Sequence, residues 1–233
     1  MTTTRTESVS LDGGSMDLFT WLPESGRGPG IIVIQEIFGV GEYIRDVAER
    51  LAAAGYVVGA PDVFWRFSPG WVAAHDPDGL NASFGKMQQL DVPTAIADCT
   101  AAAALLTSLP EVSGGVGVLG FCLGGTLAWG VAGEGDPACC VSYYGSGVPS
   151  MIDLVDSVTC PTLFHFGNED QFLPNEGVDA LNQRIDGKSN FTINVENAGH
   201  AFDNHANPMF YNESAAKAGW AKTMAFLGAH LPA

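Results

Sequence analysis

Short apolar runs alternate with segments of helical period along most of the chain, and this alternation limits the possible folds more than any other feature of the sequence. Strands of a parallel sheet read as continuous apolar runs, because helices cover both faces of such a sheet. Seven runs are interpreted as strands, at residues 16–21, 31–35, 56–60, 116–120, 139–144, 162–166 and 192–195. Five segments are interpreted as helices, at residues 43–54, 92–108, 123–132, 176–185 and 212–231. The order predicts an α/β fold, with a mainly parallel central sheet and helices on both faces.

Length and composition predict one folded unit. A chain of 233 residues falls within the usual size of one α/β domain, so a single domain is expected over residues 1–233. Hydrophobic residues make up 46% of the chain and charged residues only 15%. These proportions indicate a sizeable core and exclude a disordered chain.

Charge and cysteine spacing narrow the partners and the location. The formal net charge is −16, and no cluster of Lys or Arg could line up phosphates, so nucleic acid is not an expected partner. Residues 1–11 are polar and no run of about 20 apolar residues occurs, so no membrane segment is expected and a cytoplasmic protein is predicted. Five cysteines without a C-x-x-C pair fit a reduced compartment and give no support to a metal site.

One segment, residues 61–90, breaks the alternation. It contains three prolines and several aromatic side chains: Phe64, Trp65, Phe67, Trp71 and Phe84. A connection this long usually covers something. Two interpretations stay open, since the aromatics could pack on the body for stability or form a wall of a substrate pocket, and both can hold together.

A sharp turn is predicted where the apolar run 116–119 gives way to a helix. Residues 120–125 read Gly-Phe-Cys-Leu-Gly-Gly, a G-x-C-x-G pattern that resembles the nucleophile elbow of α/β-hydrolases with cysteine at its centre. Side chains at Gly120 and Gly124 would collide with neighbouring backbone in such a turn. The following helix N-terminus stabilises a thiolate. Cys122 is therefore the predicted nucleophile of an α/β-hydrolase fold, whereas the other cysteines lie in apolar segments and are expected in the core.

Partners for the nucleophile follow two later strands, in the order that this fold uses. The run 162–166 ends just before Glu169 and Asp170, and one carboxylate is enough to orient a catalytic imidazole. Asp170 is the predicted acid, and Glu169 is interpreted as a solvated turn residue. His200 follows the run 192–195 on a loop, where it can act as base and then as acid.

An unusual carboxylate follows the apolar run 31–34. Residues 35–39 read Gln-Glu-Ile-Phe-Gly, in the loop where such folds place the second oxyanion donor. A carboxylate beside a thiolate repels it unless one of the two is protonated, so Glu36 and Cys122 are expected to titrate as a coupled pair. This could protect the resting thiol from oxidation. The alternative is that Glu36 is a salt-bridged surface residue.

Four motifs together resemble those of dienelactone hydrolases, and the resemblance spans essentially the whole chain. The motifs occupy residues 35–39, 120–125, 167–170 and 198–200. The resemblance implies a catalytic triad of Cys122, His200 and Asp170, with Glu36 hydrogen-bonded to the resting thiol. It also implies an oxyanion hole formed by the backbone N–H groups of Ile37 and Leu123.

Substrate contacts are expected from aromatic side chains in the loops around Cys122. The resemblance implies a tyrosine near the site, which is placed at Tyr144. Apolar contacts would favour a neutral acyl or alcohol group. The candidate substrate-binding residues are Phe38, Tyr144, Trp65, Trp71, Phe84 and Phe202. The alternative for the aromatics is that they only pack the long loop.

The chain departs from the family at the substrate carboxylate. Family members that act on dienelactone hold its carboxylate with two arginines, one in the long loop and one four residues after the catalytic histidine. Residues 78–82 read Asp-Gly-Leu-Asn-Ala and residues 202–204 read Phe-Asp-Asn, so neither arginine is present. A bidentate arginine is the usual anchor for a carboxylate. Arg66, in the long loop, is the possible substitute.

The sequence therefore predicts a hydrolase that cleaves a small-molecule ester or lactone through an acyl-thioester intermediate, without cofactor or metal. Selectivity for a carboxylated lactone is not expected. One alternative is a true dienelactone hydrolase, or carboxymethylenebutenolidase, with a different carboxylate anchor. Another is a thiol redox or binding protein on the same fold, which would need a resolving cysteine or a missing triad member. The sequence leaves the oligomeric state open.

Overall fold

Eight strands form one twisted sheet at the centre of the molecule, in the order β1-β2-β4-β3-β5-β6-β7-β8. The computed structural model describes residues 3–233. The strands are β1 (Thr3–Leu11), β2 (Gly14–Leu22), β3 (Gly28–Ile34), β4 (Val57–Pro61), β5 (Val112–Phe121), β6 (Cys140–Tyr143), β7 (Thr162–Gly167) and β8 (Phe191–Glu196). The pairs β1-β2 and β2-β4 are antiparallel, and all other neighbours are parallel. The predicted α/β fold with a mainly parallel sheet is confirmed.

Helices cover both faces of this sheet. They are α1 (Glu42–Ala53), α2 (Pro77–Met87), α3 (Val92–Ser108), α4 (Leu123–Glu134), α5 (Asn175–Arg184) and α6 (Glu213–His230), with a 3₁₀ segment at Val148–Asp156. Along β3, Ile32 and Ile34 join the apolar cluster under α3 and α4, while Ile31 and Val33 join the cluster under α1 and α6. Because strand side chains alternate between faces, a strand covered on both sides is apolar throughout.

Three elements differ from the sequence interpretation. The strand β1 was missed because it lies at the sheet edge, where Val9 is its one buried side chain and the remaining positions are polar or half-buried. The 3₁₀ segment was also missed. Residues 61–90 are not irregular throughout, since α2 occupies 77–87. The sequence does contain a start signal for this helix, an Asp followed by a Pro. In the structure the Asp76 side chain accepts the Gly79 N–H as the N-cap, and Pro77 occupies the first turn.

Within residues 3–233, no single helix is long and apolar enough to cross a membrane. Only when α2 and α3 are counted as one segment are they long and apolar enough to cross a membrane, and the two helices are bent by 95° relative to each other.

The nucleophile turn is a tight backbone contact between β5, α4 and the end of β3. Cys122 has φ 54° and ψ −114°, a region that residues other than glycine rarely adopt. A Cβ atom at Gly120 would lie 1.9 Å from Gly124 O, and one at Gly124 would lie 2.1 Å from Ile34 O. Neither position has room for a side chain, as the sequence pattern predicted, so both glycines are needed to place Cys122 at the sheet edge.

Replacing Gly124 should therefore destabilise the fold. We expect Gly124→Ala to lower the free energy of unfolding by about 3 kcal/mol, since its methyl group meets backbone that cannot move aside. The matched control is Gly228→Ala, also in a helix, where a Cβ atom meets nothing within 4 Å. That variant should equal the wild type or exceed it by up to about 1 kcal/mol. Urea titrations of both variants provide the measurement, and equal stabilities would refute the proposed contact.

Candidate active site

Four candidate catalytic side chains meet at the carboxyl edge of the parallel strands. Cys122 directly follows β5, and Glu36 lies two residues after β3. Asp170 and His200 follow β7 and β8 on short loops. Parallel strands place their carboxyl ends at one edge of the sheet, so residues far apart in sequence converge there. Cys122 is partly exposed, and the other three are buried.

His200 and Asp170 form a buried pair. The His200 Nδ1 atom lies 2.7 Å from Asp170 Oδ2. The other carboxylate oxygen accepts the backbone N–H groups of Phe172 at 2.8 Å and Leu173 at 3.2 Å. Asp170 is therefore held in place from two sides. Glu169, the neighbouring acid, is exposed, as expected for a turn residue.

The charge of the Cys122 sulfur acts on the His200 imidazole. Burial lowers the pKa of His200, but the negative charge of the Cys122 thiolate and hydrogen bonds with Asp170 and Cys122 raise it from 6.5 to about 10. Since Nδ1 is bound to Asp170, Nε2 is the ring nitrogen available to the sulfur. An imidazolium beside a thiolate is the arrangement that favours nucleophilic attack by cysteine.

Glu36 is a buried carboxyl group with two hydrogen-bond donors. Its Oε2 atom accepts from Asn204 Nδ2 at 2.5 Å, and Oε1 accepts from the Tyr144 hydroxyl at 3.4 Å. Burial raises the pKa of Glu36 from 4.5 to about 7, although His200, Asn204 and Tyr144 lower it. Within residues 3–233 the hydrogen-bond partners of Glu36 are these two donors and do not include Cys122, in contrast to the expected bond to the resting thiol.

A small cavity of about 80 Å³ lies over Cys122. Glu36, Cys122 and His200 form its polar wall together with Ser146. The remaining lining residues are apolar: Ile37, Phe38, Leu80, Phe84, Met87, Phe172, Ala201 and Phe210. Within the described chain, no group of three or more His, Cys, Asp and Glu side chains is arranged to hold a metal ion.

Of the six candidate substrate-binding residues, the structure places Phe38 and Phe84 in the cavity wall. Tyr144 lies beneath the cavity, fully buried, with its hydroxyl on Glu36. The other three are outside the lining: Trp65, Trp71 and Phe202.

Those three aromatics pack the body of the protein. The Trp65 indole donates to Asp98 at 2.9 Å, and the Trp71 ring lies under the Lys86 ammonium group. Phe202 is fully buried against Tyr144, with ring centroids 5.3 Å apart. Each side chain is fixed by neighbours elsewhere in the sequence, so its direction could not be inferred from its loop.

Phe84 was predicted from the sequence, but other lining residues were missed: Leu80, Met87, Phe172 and Phe210. Leu80, Phe84 and Met87 lie on one face of α2, at the spacing of four and three residues that a helix requires. Recognising the helix would have revealed this face. Phe172 contacts the His200 ring edge-on at 5.0 Å, and it follows the predicted acid by two residues. Phe210, in the loop before α6, carries no local signal.

The predicted oxyanion donors lie beside the nucleophile. Ile37 lines the cavity, and Leu123 is the first residue of α4. The first N–H groups of a helix have no intrahelical acceptor, so the Leu123 N–H can bind a ligand oxygen.

Arg66 does not reach this site. Its guanidinium group binds Asp98 through two hydrogen bonds of 2.8 Å, and Nη1 donates to the Asp12 carbonyl. Arg66 is also absent from the cavity lining. The possibility that it replaces the missing carboxylate-binding arginines is therefore not supported, because its charge is already neutralised by a buried carboxylate.

The sheet, the strained turn and the converging side chains define an α/β-hydrolase. The sequence model described as the dienelactone hydrolase family matches residues 16–231. The chain belongs to this family, and it is a hydrolase of ester or lactone bonds.

Several known proteins are similar to this chain over most of their length. The chain is 35% identical to a carboxymethylenebutenolidase of Pseudomonas sp. over 213 residues, 90% of each chain. It is 30% identical to carboxymethylenebutenolidase 1 of Cupriavidus pinatubonensis over 222 residues, 95% of this chain and 94% of the relative. A crystal structure of a putative dienelactone hydrolase from Klebsiella pneumoniae superposes with a TM-score of 0.82 at 25% identity, covering 98% and 99% of the two chains.

The pH dependence of stability should report the burial of Glu36. Its pKa rises from 4.5 to about 7 in the fold, so the folded chain binds this proton more tightly and stability falls as the pH rises through that window. The loss is at most about 3 kcal/mol. Glu36→Gln removes the titration, and its free energy of unfolding should fall less between pH 4.5 and 6.5.

The window ends at pH 6.5 because His200 contributes above it. The pKa of His200 is raised from 6.5 to about 10, so its stabilisation is complete below pH 6.5 and is lost as the pH rises toward 10. Both proteins share that loss. Urea titrations at several pH values measure the slopes, and identical slopes below pH 6.5 would show that Glu36 does not titrate as a buried acid.

Proposed function

We propose that Cys122, His200 and Asp170 act as a catalytic triad that hydrolyses a small ester or lactone through an acyl-thioester. The observation that carries the proposal is the buried His200–Asp170 pair, at 2.7 Å, next to a cysteine held on a strained turn. Asp170 fixes the imidazole tautomer and stabilises the imidazolium. The proposed nucleophile and base thus line one cavity, and the orienting acid binds the imidazole at Nδ1.

The reaction follows from these positions. His200 takes the thiol proton, and the Cys122 sulfur attacks the carbonyl carbon of the substrate. The backbone N–H groups of Ile37 and Leu123 stabilise the oxyanion. The imidazolium returns its proton to the departing alkoxide, which leaves an acyl-thioester and an alcohol. Water, deprotonated by His200, then attacks the thioester, releases the acid and restores the thiol.

The cavity wall supports a neutral substrate. Its lining residues include no Lys or Arg, and its apolar side chains outnumber its polar ones. A carboxylate entering this site would lose hydration beside Glu36 without a cation to compensate it. A neutral acyl or alcohol group would instead gain apolar contacts with Phe38, Phe84 and Phe172.

A second candidate is hydrolysis of a carboxylated lactone. The names of the relatives in Pseudomonas sp. and Cupriavidus pinatubonensis favour it, since both are called carboxymethylenebutenolidases. It requires a carboxylate anchor other than the two arginines that the chain lacks. The lining described above offers Ser146 as a neutral hydroxyl, which is a weaker partner for an anion than a guanidinium group.

A redox or binding role for the thiol has less support. Such a role needs a second cysteine within reach of Cys122. The other cysteines are buried away from the cavity: Cys99, Cys139, Cys140 and Cys160. Burial raises the pKa of the Cys139 thiol to about 12, which keeps it protonated and unreactive.

Substitution of the nucleophile tests the triad. Cys122→Ala should lower kcat for a neutral ester by about 10⁴-fold or more, the size of effect seen when a triad nucleophile is removed. Cys122→Ser should be at least about tenfold slower than wild type, because a hydroxyl is far less acidic than a thiol. Cys99→Ala, in α3, is the matched control and should keep full activity. Turnover retained in purified Cys122→Ala would exclude the cysteine mechanism.

Matched substrates test the selectivity. The test pair is 4-nitrophenyl methyl adipate and 4-nitrophenyl hydrogen adipate, which differ in whether the remote carboxyl group is methylated and whose chain is too long for efficient attack of that carboxylate on its own ester. The neutral ester should have a kcat/KM at least about tenfold higher, since a desolvation difference of 1.4 kcal/mol already gives that factor. Dienelactone and its methyl ester form a second pair with the same expected order.

Controls for this comparison use charge and salt. Leu80→Arg introduces a cation into the lining and should reduce the difference in kcat/KM between the neutral and the carboxylated ester. Leu80→Gln changes polarity without charge and should leave this difference unchanged. A preference for the carboxylate that weakens with added salt would show that some cation anchors it, and the neutral-substrate proposal would then be wrong.

A further inference from the structure

Asn204 is a buried amide that is fixed on both sides. It lies in the loop between His200 and α6 and has no exposed surface. Its Oδ1 atom accepts the backbone N–H of Ala206 at 3.0 Å, which turns Nδ2 toward Glu36. Nδ2 donates to Glu36 Oε2 at 2.5 Å. The donor therefore has one orientation, set by the loop backbone, and one acceptor.

The bond from Asn204 is the short contact that holds the Glu36 side chain. The second donor, the Tyr144 hydroxyl, is 3.4 Å away and is also 3.4 Å from the Tyr43 hydroxyl. Tyr43 in turn donates to Asp203 at 2.7 Å. The Tyr144 hydroxyl thus makes two long contacts, one to Glu36 and one to Tyr43, whereas the Asn204 amide group donates to Glu36 alone.

We propose that Asn204 is a positioning residue for the hydrolysis: by holding the Glu36 carboxylate, it keeps this group off the Cys122 thiol, so that the thiol pairs with His200 before substrate enters. The inference rests on the proposed function, because it takes Cys122 as the nucleophile. Without Asn204, the Glu36 side chain is free to turn toward the sulfur, where its negative charge would favour the protonated thiol.

The charges around Glu36 explain why a neutral donor suits this position. The groups that face Glu36 are Tyr43 from α1, Tyr144 from the end of β6, and His200 and Asp203 from the loop before α6. Asp203 disfavours the Glu36 carboxylate, and His200 favours it. An amide donates a hydrogen bond to the Glu36 carboxylate and carries no charge. It therefore does not compete with the His200 imidazolium for the charge of this carboxylate.

The matched control is Asn207, three residues further along the same loop. It is equally buried, and its Oδ1 atom accepts the Met209 N–H at 3.2 Å, just as Asn204 accepts Ala206. Its Nδ2 atom, however, has no hydrogen-bond partner among the described residues. Asn207→Ala therefore removes the same amide and the same turn contact without touching Glu36.

The measurement is the rate of iodoacetamide alkylation at Cys122 as a function of pH, followed by mass spectrometry on the full chain. Asn204→Ala should alkylate about tenfold more slowly at pH 7, with its profile displaced to higher pH, which corresponds to a change of about one pKa unit in the thiol. Asn207→Ala should follow the wild-type profile. Asn204→Ser is a second variant, because its hydroxyl can still accept the Ala206 N–H but is too short to reach Glu36.

A double-mutant cycle separates positioning from a structural role. If Asn204 acts through the carboxylate, Asn204→Ala in a Glu36→Gln background should leave the alkylation profile of Glu36→Gln unchanged. The same tenfold loss in that background, or a wild-type profile for folded Asn204→Ala and Asn204→Ser, would overturn the inference. Hydrolysis retained by Cys122→Ala would instead overturn the proposed function, so the two failures are distinguishable.

Discussion

The active site depends on one backbone contact, the packing of the nucleophile turn against the end of β3. At Gly124 the first turn of α4 comes so close to the Ile34 carbonyl that no Cβ atom fits. This contact brings the residue after β5 beside the loop after β3, so Cys122 meets Glu36 and Ile37. The loops after β7 and β8 then add Asp170 and His200 from the other side. The sheet edge thus fixes the relative positions of the proposed nucleophile, oxyanion donors and base, on which the proposed mechanism depends.

Buried hydrogen bonds next to this edge of the sheet hold the ionisable side chains of the site. The chain carries a net charge of −16, yet Glu36 in the cavity wall and Asp203 outside the wall are both buried, and burial raises the pKa of each. The Asn204 amide and the Tyr144 phenol donate to Glu36, and the Tyr43 phenol donates to Asp203. In the proposed mechanism, the positive charge on His200 is stabilised by the Cys122 sulfur and by Asp170, both of which raise the pKa of the imidazole.

Much of the fold, and the convergence of the candidate catalytic residues, could be predicted from the sequence because their signals are local. The apolar runs mark seven of the eight strands, and the glycines at 120 and 124 mark the turn. The chain order of Asp170 and His200 follows from the class. Side-chain directions could not be predicted in the same way. Trp65 points to Asp98 rather than to the cavity. Because Asp98 lies 33 residues away in sequence, this direction could not be inferred from the loop around Trp65. The partner of Asn204 is 168 residues away, so only the folded chain shows it.

The helix α2 supplies three cavity residues but none of the reacting groups. It joins the body through irregular chain before residue 77 and a short link after residue 87, outside the β-strands that fix the chemistry. The proposed catalytic side chains and this part of the cavity wall therefore lie on separate parts of the polypeptide. A change in Leu80, Phe84 or Met87 reshapes the chamber while leaving the strained turn and its hydrogen bonds intact. This division gives the scaffold evolvability, because new substrates can be sampled through one exposed helix while the cleavage machinery is inherited unaltered.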